Sequence, residues 1–328
     1  MAGSKSNKIL NELHKFKNRF SKSMTKVSRW YRVLIGVFLL FILFQLRVKL
    51  LKGEADKEEF TQKKQYVMKE GPDAYDDFYA EIYDDLYFDH FKNGYEVSEI
   101  DRNAKVEKNS RVLNVGCGNG HYVDNYRKLG TKDVIGLDKS QAMINRAKSK
   151  FPKSKFVHGD ALNSSLFIHN RFTHILLFNF TIYHIQNKDA FFKNCYDWLM
   201  PGGYLVLHMV NRDKFDPIIP SADPLHGVYA QNFAKNRVTN SVIKFKDFLY
   251  KANFELDKKN NMAYLKETMK DDDSKHVREN NHIYYMETQK SILAKAKSKG
   301  FILNGTIDMR GARYPFQYLY VLYKPAAN

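Results

Sequence analysis

The stretch RVLNVGCGNG, residues 111–120, limits the possible folds more than any other part of this 328-residue chain. A short apolar, β-branched run ends in glycines at alternate positions, Gly116, Gly118 and Gly120. Such a run reads as a strand buried in a sheet. Glycine suits the turn after it, where the backbone takes dihedrals closed to other residues and admits a ligand at close range. A helix is expected from about His121 to Leu129, then the strand DVIGLD (133–138). Ser140 can cap a following helix whose apolar face is Met143, Ile144, Ala147 and Phe151. KFVHGD (155–160) and HILLFNF (174–180) are further strands, the latter apolar throughout most of its length, as burial on both faces requires. A helix over 187–199, a Pro201-Gly202-Gly203 turn and the strand YLVLHMV (204–210) complete the series. Strands alternating with helices imply an α/β fold with a doubly wound, mostly parallel sheet.

The alternation stops after Val210. Pro217, Pro220 and Pro224 crowd one loop, and VIKFKDFLYKANFELDKK and NMAYLKETMK then alternate with an approximate period of two, the pattern of an antiparallel meander. HIYYM (282–286) would be its last strand, a helix over 288–299 ends at Gly300, and FILNGTIDM and QYLYVLYK close the chain as a strand pair. The expectation is a seven-stranded sheet interrupted by a β-rich insertion over 216–287. Upstream, Tyr75, Tyr79, Tyr83 and Tyr87 recur at four-residue spacing along one face of a helix.

The net charge of +17 raises the question of a nucleic-acid partner. Residues 1–52 hold 12 Lys/Arg against the single acid Glu12, while the other 276 residues hold 41 basic and 35 acidic side chains. The excess thus belongs to the N-terminal tail, beside the apolar run VLIGVFLLFILFQL (33–46), which Arg32 and Arg47 flank. A polybasic tail next to such a run is attracted to anionic lipid, so a membrane is the expected partner and nucleic acid is not. Fourteen helical residues span about 21 Å, short of the roughly 30 Å hydrocarbon layer. Snorkelling arginines, the Trp30-Tyr31 pair, Val48, Leu50 and Leu51 extend the reach. The readings are a short anchor, a helix lying in the interface, or a core helix, with the anchor favoured by the charged stretches on both sides. A single-pass or monotopic membrane location follows, with a basic tail (1–32), an N-terminal hydrophobic anchor helix (33–51), a charged linker (52–70) and a catalytic domain (71–328). Cys117 and Cys195 both fall in expected core elements and no Cys/His cluster has zinc-site spacing, so neither a disulfide framework nor a metal is expected.

Residues 111–210 resemble the class I S-adenosylmethionine-dependent methyltransferases, which share a Rossmann-like fold. The resemblance implies that Gly116, Cys117, Gly118 and Gly120 of VLNVGCGNG lie against the amino-acid part of S-adenosylmethionine, and that Asp138, beside Lys139, binds the ribose hydroxyls. It likewise implies an adenine contact at Asp160 and Ala161 and places Asn179, Phe180, Tyr183 and His184 at the methyl-transfer site. Where members often carry an acid two residues before the first glycine, this chain has Asn114, which lacks the charge to pair with the cofactor's ammonium. The tyrosine helix resembles the N-terminal lid of the family, making Tyr79 and Tyr83 candidate cofactor contacts, and the insertion resembles an acceptor-pocket cap, on which His282 and Tyr284 are pocket candidates. His208, inside an apolar strand, reads as structural.

The function implied is methyl transfer by in-line displacement to a small-molecule or lipid acceptor, with Tyr183 and His184 as candidates for acceptor contact or proton removal. The alternatives are a non-catalytic S-adenosylmethionine-binding module, suggested by Asn114, and a protein methyltransferase. A nucleic-acid enzyme would carry an N-P-P-aromatic motif where this chain has Asn179-Phe180-Thr181-Ile182.

Overall fold

The computed structural model describes residue 62, residues 64–222, residue 231 and residues 234–326, together with positions 30, 34, 35, 37, 38, 40 and 42. Those seven positions are helical, and Leu34, Val37, Phe38 and Leu40 are exposed there. The remainder of the expected 33–51 anchor and nearly all of the tail and the linker up to residue 61 lie outside the described residues. Among the described residues, no helix is long and apolar enough to cross a membrane.

Residues 58–328 form one unit. It opens with strand β1 (Tyr66–Glu70), so the last part of the stretch expected as linker is a strand. The reason is its alternation: YVMKE presents every second side chain to one face, and β1 pairs in parallel with a strand met much later in the chain. Helix α1 (Asp77–Tyr87) starts at Asp76, whose carboxylate accepts from the Tyr79 amide at 3.2 Å. Helix α2 (His90–Ala104) starts in the same way at Asp89.

The expected strand–helix series follows: β2 (Arg111–Val115), α3 (His121–Lys128), β3 (Asp133–Asp138), α4 (Gln141–Lys150), β4 (Lys155–His158), β5 (Phe172–Leu177), the single turn α5 (Thr181–His184), α6 (Lys188–Trp198) and β6 (Leu199–Val210). The insertion supplies β7 (Asn240–Lys244), β8 (Phe248–Asp257), β9 (Met262–Asp271) and β10 (Val277–Tyr285). Helix α7 (Gln289–Ser298) and strands β11 (Ile302–Asp308) and β12 (Gln317–Tyr323) close the chain.

The main sheet has seven strands in the order β11-β12-β6-β5-β2-β3-β4; β6, β5, β2, β3 and β4 run parallel, β12 runs against them, and β11, antiparallel to β12, shares their direction. This is a Rossmann-like α/β arrangement, as expected. From β2 the chain steps to β3 and β4 on one side, then crosses to β5 on the other. The carboxyl ends of β2 and β5 therefore diverge and open a crevice, the position where open α/β sheets bind ligands. The four insertion strands and β1 form a separate five-stranded sheet, β1-β10-β9-β8-β7, antiparallel except at the β1–β10 pair. Its inward residues, among them Tyr250, Ala263 and Met269, are fully buried, which is what its period-two sequence demands. Lys188, at the start of α6, fastens this sheet to the core by donating to the carbonyls of Ile185 at 2.8 Å and Tyr285 at 2.9 Å.

Candidate functional site

The crevice at the β2–β5 switch opens into a cavity of about 540 Å³, walled by the glycine turn, the ends of β3 and β5, the segment before α1 and its later turns, and the cap strands β8 to β10. Gly116 and Gly118 form part of its floor with φ of +65° and +51°. Their bareness is a packing requirement as well as a torsional one: a Cβ on Gly116 would lie 2.5 Å from Cγ2 of Thr181, the first residue of α5. Gly116→Ala is expected to cost about 2 kcal/mol or more through a left-handed alanine and a clash that neither element can relieve. Gly94→Ala, in α2 with open space around its Cβ position, is the control and should be neutral or stabilising. Thermal melts of the two variants check this; equal melting points would mean that the glycine turn is not under steric constraint.

Asp138 ends β3 with its carboxylate already placed. Oδ2 accepts from the Gly118 amide at 2.8 Å and Oδ1 from the Ser140 amide at 2.9 Å, so the acid locks the glycine turn to the next helix while bordering the cavity. Burial pushes its carboxyl pKa up, and the Ser140 and Gly118 amides offset this only in part. Each oxygen keeps acceptor capacity toward the cavity, the chemistry that two vicinal hydroxyls need. Beside it Lys139 pairs with Asp160 at 2.7 Å, and Asp160, Ala161, Leu162 and Met143 form a mixed polar and apolar slot. A bare cradle, a two-oxygen acceptor and an adjoining slot together fit an adenosine-bearing ligand with a charged amino-acid tail.

Of the residues expected from sequence, Gly116, Gly118, Asp138, Lys139, Asp160, Ala161, Asn179, Tyr83 and His184 all border this one cavity. Five others do not. Asn114 is buried within the sheet, where its amide donates to the Leu176 carbonyl of β5 at 3.2 Å, because the pleat turns it away from the crevice. Cys117 points into the core against β3, and burial pushes its thiol pKa well up. It touches only a side recess of about 40 Å³. Gly120 starts α3, and its bareness serves Phe156, whose Cζ would lie 2.6 Å from a Cβ. Tyr79 is turned to the cap, where its hydroxyl donates to Glu267 at 2.7 Å. Tyr183 is fully buried, its hydroxyl accepting from the Val210 amide at 2.9 Å, so the catalytic expectation for it gives way to a structural role.

His184 does face the cavity. Its Nε2 lies 3.2 Å from the Tyr75 hydroxyl, and burial, followed by His282 and Lys188, brings its pKa down to about 3. His208 also borders the cavity, contrary to the purely structural reading. Its Nδ1–H donates to the Asn179 carbonyl, its Nε2 faces the Gln317 side-chain amide at 3.0 Å, and burial brings it to about 3 as well. Both imidazoles are neutral at physiological pH. For His208, 1% exposed, the unfolded chain binds the proton near pH 6.5 and the folded one only near 3, so stability falls as pH drops below about 6.5, with a slope approaching about 1.4 kcal/mol per pH unit. A His208→Gln variant should therefore show a shallower loss of melting temperature between pH 6.5 and 4.5. Parallel curves would refute the assignment.

Sequence reasoning missed Tyr75, Thr181 and Lys92. Lys92 in α2 is buried, donates to Glu96 at 2.9 Å and to Asn179 at 2.7 Å, and borders the cavity. The i,i+4 spacing of Lys92 and Glu96 looks like any surface pair, and only tertiary packing puts it inside. Of the two cap candidates Tyr284 lines the cavity, while His282 lies behind the wall with its Nε2 2.8 Å from Glu267. Glu267 is the centre of that region: Tyr79, Tyr87 (3.0 Å), Tyr250 (2.6 Å) and Asn280 (3.0 Å) also donate to it. Burial alone would push its carboxyl up, but His282 and the tyrosine hydroxyls hold it below the usual range.

A Rossmann-like sheet with a glycine turn and an acid at the end of the next strand defines the nucleotide-type binding class. Residues 112–203 match the family described as "Methyltransferase domain". The chain is 27% identical over 106 residues to a "Probable S-adenosylmethionine-dependent methyltransferase" of Mycolicibacterium smegmatis, over 32% of this chain and 40% of that one. It is 26% identical over 174 residues to a ubiquinone/menaquinone biosynthesis C-methyltransferase of Campylobacter jejuni, over 47% of this chain and 71% of that one. It spans about two fifths of the first curated relatives it matches, 40% and 38%. The fold is similar to that of the CcbJ methyltransferase from Streptomyces caelestis, with a TM-score of 0.58 and 15% identity over 77% of this chain and 98% of that one. Over residues 112–203 the chain is thus similar to a methyltransferase domain, and the relatives that it matches there include S-adenosylmethionine-dependent methyltransferases.

Proposed function

We propose that the protein transfers a methyl group from S-adenosylmethionine to a small-molecule acceptor held beneath the cap sheet. The observation that supports this best is one cavity with two chemistries: the bare glycine floor with Asp138 on one side, and an aromatic and aliphatic wall from the cap on the other. In this reading Asp138 holds the ribose, Met143, Ala161 and Leu162 enclose the adenine, and the Gly116–Gly118 backbone together with Lys92 and Asn179 faces the amino-acid tail. When bound, the cofactor supplies an electrophilic methyl on a sulfonium. The chain's own residues exclude water and orient the acceptor. His184, neutral and aligned by Tyr75, accepts a hydrogen bond from the acceptor rather than storing a proton. His184→Ala is expected to lower kcat by about tenfold to a hundredfold with the cofactor Kd unchanged. A matching change in both would make His184 part of the cofactor site instead.

The enclosure beneath the cap favours a small molecule over a protein side chain. The Campylobacter jejuni relative, named for quinone biosynthesis, is a precedent for an apolar acceptor. The decisive assay is radiolabelled methyl transfer into fractionated lipid and soluble extracts. Cofactor binding without transfer to any fraction would favour the non-catalytic reading, for which Asn114 in place of an acid is the motive. We further propose that residues 33–51 and the basic tail attach the enzyme to a membrane, bringing the site to lipid-borne acceptors. Carbonate-washed membranes should retain the full chain and release one lacking residues 1–52; release of both would remove the anchor.

A further inference from the structure

The acceptor side of the cavity is chemically one-sided. Phe180, His184 and Tyr284 form a continuous aromatic wall, with ring centroids 5.8 Å apart for Phe180 and Tyr284 and 4.8 Å for His184 and Tyr284. Tyr75 extends it, 5.6 Å from His184 and 5.0 Å from His282. Immediately behind lies Glu267, a buried carboxylate connected to the cavity surface through Tyr87, which both lines the cavity and donates to it at 3.0 Å. Its hydrogen-bond donors keep it ionised despite burial. The cations on the described walls are already engaged: Lys92 with Glu96 at 2.9 Å and Lys139 with Asp160 at 2.7 Å. Asp138 and Asp216 add two more carboxylates, and no arginine is among the described lining residues.

An anionic acceptor entering this space would lose its hydration without meeting an uncommitted cation. A cation gains twice, from the π faces and from a buried negative charge screened little by water. We propose that the acceptor is a small amine, seated with its nitrogen among Tyr75, Phe180, His184 and Tyr284 and stabilised by the charge of Glu267. This rests on the methyltransferase reading and narrows its substrate class. The amine is held first as its ammonium and loses a proton to water before it reacts. Its lone pair forms the new N–C bond, the electron pair of the old C–S bond stays on sulfur, and the positive charge ends on the nitrogen inside the box. The methylated product leaves as an ammonium ion.

The test measures binding, not turnover. The full chain is saturated with S-adenosylhomocysteine and titrated with three probes of one shape: choline, its uncharged isostere 3,3-dimethyl-1-butanol, and the anion 3,3-dimethylbutanoate. Choline is expected to bind about tenfold tighter than the alcohol, and the anion weakest. The preference should survive Tyr284→Phe and collapse in Tyr284→Ala, and Glu267→Gln should reduce it; the two Tyr284 variants keep the test valid where Glu267→Gln unfolds. Equal affinities, or preference for the anion, would overturn the amine assignment while leaving the methyltransferase reading standing, since S-adenosylhomocysteine remains bound. Failure to bind S-adenosylhomocysteine at all would sink that reading and this inference together.

Discussion

Replacing Asp138 with alanine is expected to weaken S-adenosylmethionine binding about a hundredfold while leaving the fold intact. The carboxylate performs two tasks at one point. It accepts the Gly118 and Ser140 amides at 2.8 and 2.9 Å, which sets the shape of the turn, and it presents its remaining lone pairs to the cavity. Losing charge-assisted hydrogen bonds to a diol costs about 1.5–3 kcal/mol each, which sets the scale of the effect. Stability should fall by a smaller amount, because the Gly118 and Ser140 amides lose the acceptor that ties the turn to the next helix. Calorimetry on the purified variant, with a melt beside it, separates the two effects. An unchanged Kd would place the sugar elsewhere and remove the cofactor assignment; a collapsed melt with no folded protein would make Asp138 structural.

The second large effect is expected at Glu267. Five donors converge on its carboxylate: three tyrosine hydroxyls, the Asn280 amide and His282. They come from helix α1 and the cap strands β8 and β10, while Glu267 itself stands on β9, so this one side chain joins the helix to the cap. Glu267→Ala leaves all five without their acceptor in a dry interior, at a cost of about 3–5 kcal/mol, or roughly 10 °C in melting temperature for a domain of this size. Glu267→Gln keeps one acceptor oxygen but turns an NH2 toward other donors, and should fall between alanine and the wild type. If both variants melt with the wild type, the network is not what holds the cap in place.

How far the sequence reveals this arrangement depends on the range of the interaction. The β2 to β6 series, the glycine turn and the acid ending β3 follow from local patterns: apolar runs of strand length, glycines after the first, Ser140 as a cap. The cap meander shows its period of two, although β10 starts at Val277 rather than at His282. What was not legible depends on pairing at long range. YVMKE reads as linker because its partner lies some two hundred residues away, Val277 to Asn281. The tyrosine stripe was visible as a helix face, but not the division of labour in which Tyr83 meets the cavity and Tyr79 meets Glu267. Tyr183 and His184 are neighbours in one turn, and only the packing of that turn on β6 decides which of them reaches the ligand. Asn114 was read as a weakened cofactor contact, whereas strand pleating turns it away.

Strand β1 runs directly into Gly71, Pro72 and Tyr75, which border the cavity mouth. Its five residues are stitched to the outer rim of the cap, Tyr66 opposite Val277 through Glu70 opposite Asn281. One short strand thus joins the border of the cap sheet to the doorway of the cavity, so the two share a single run of backbone.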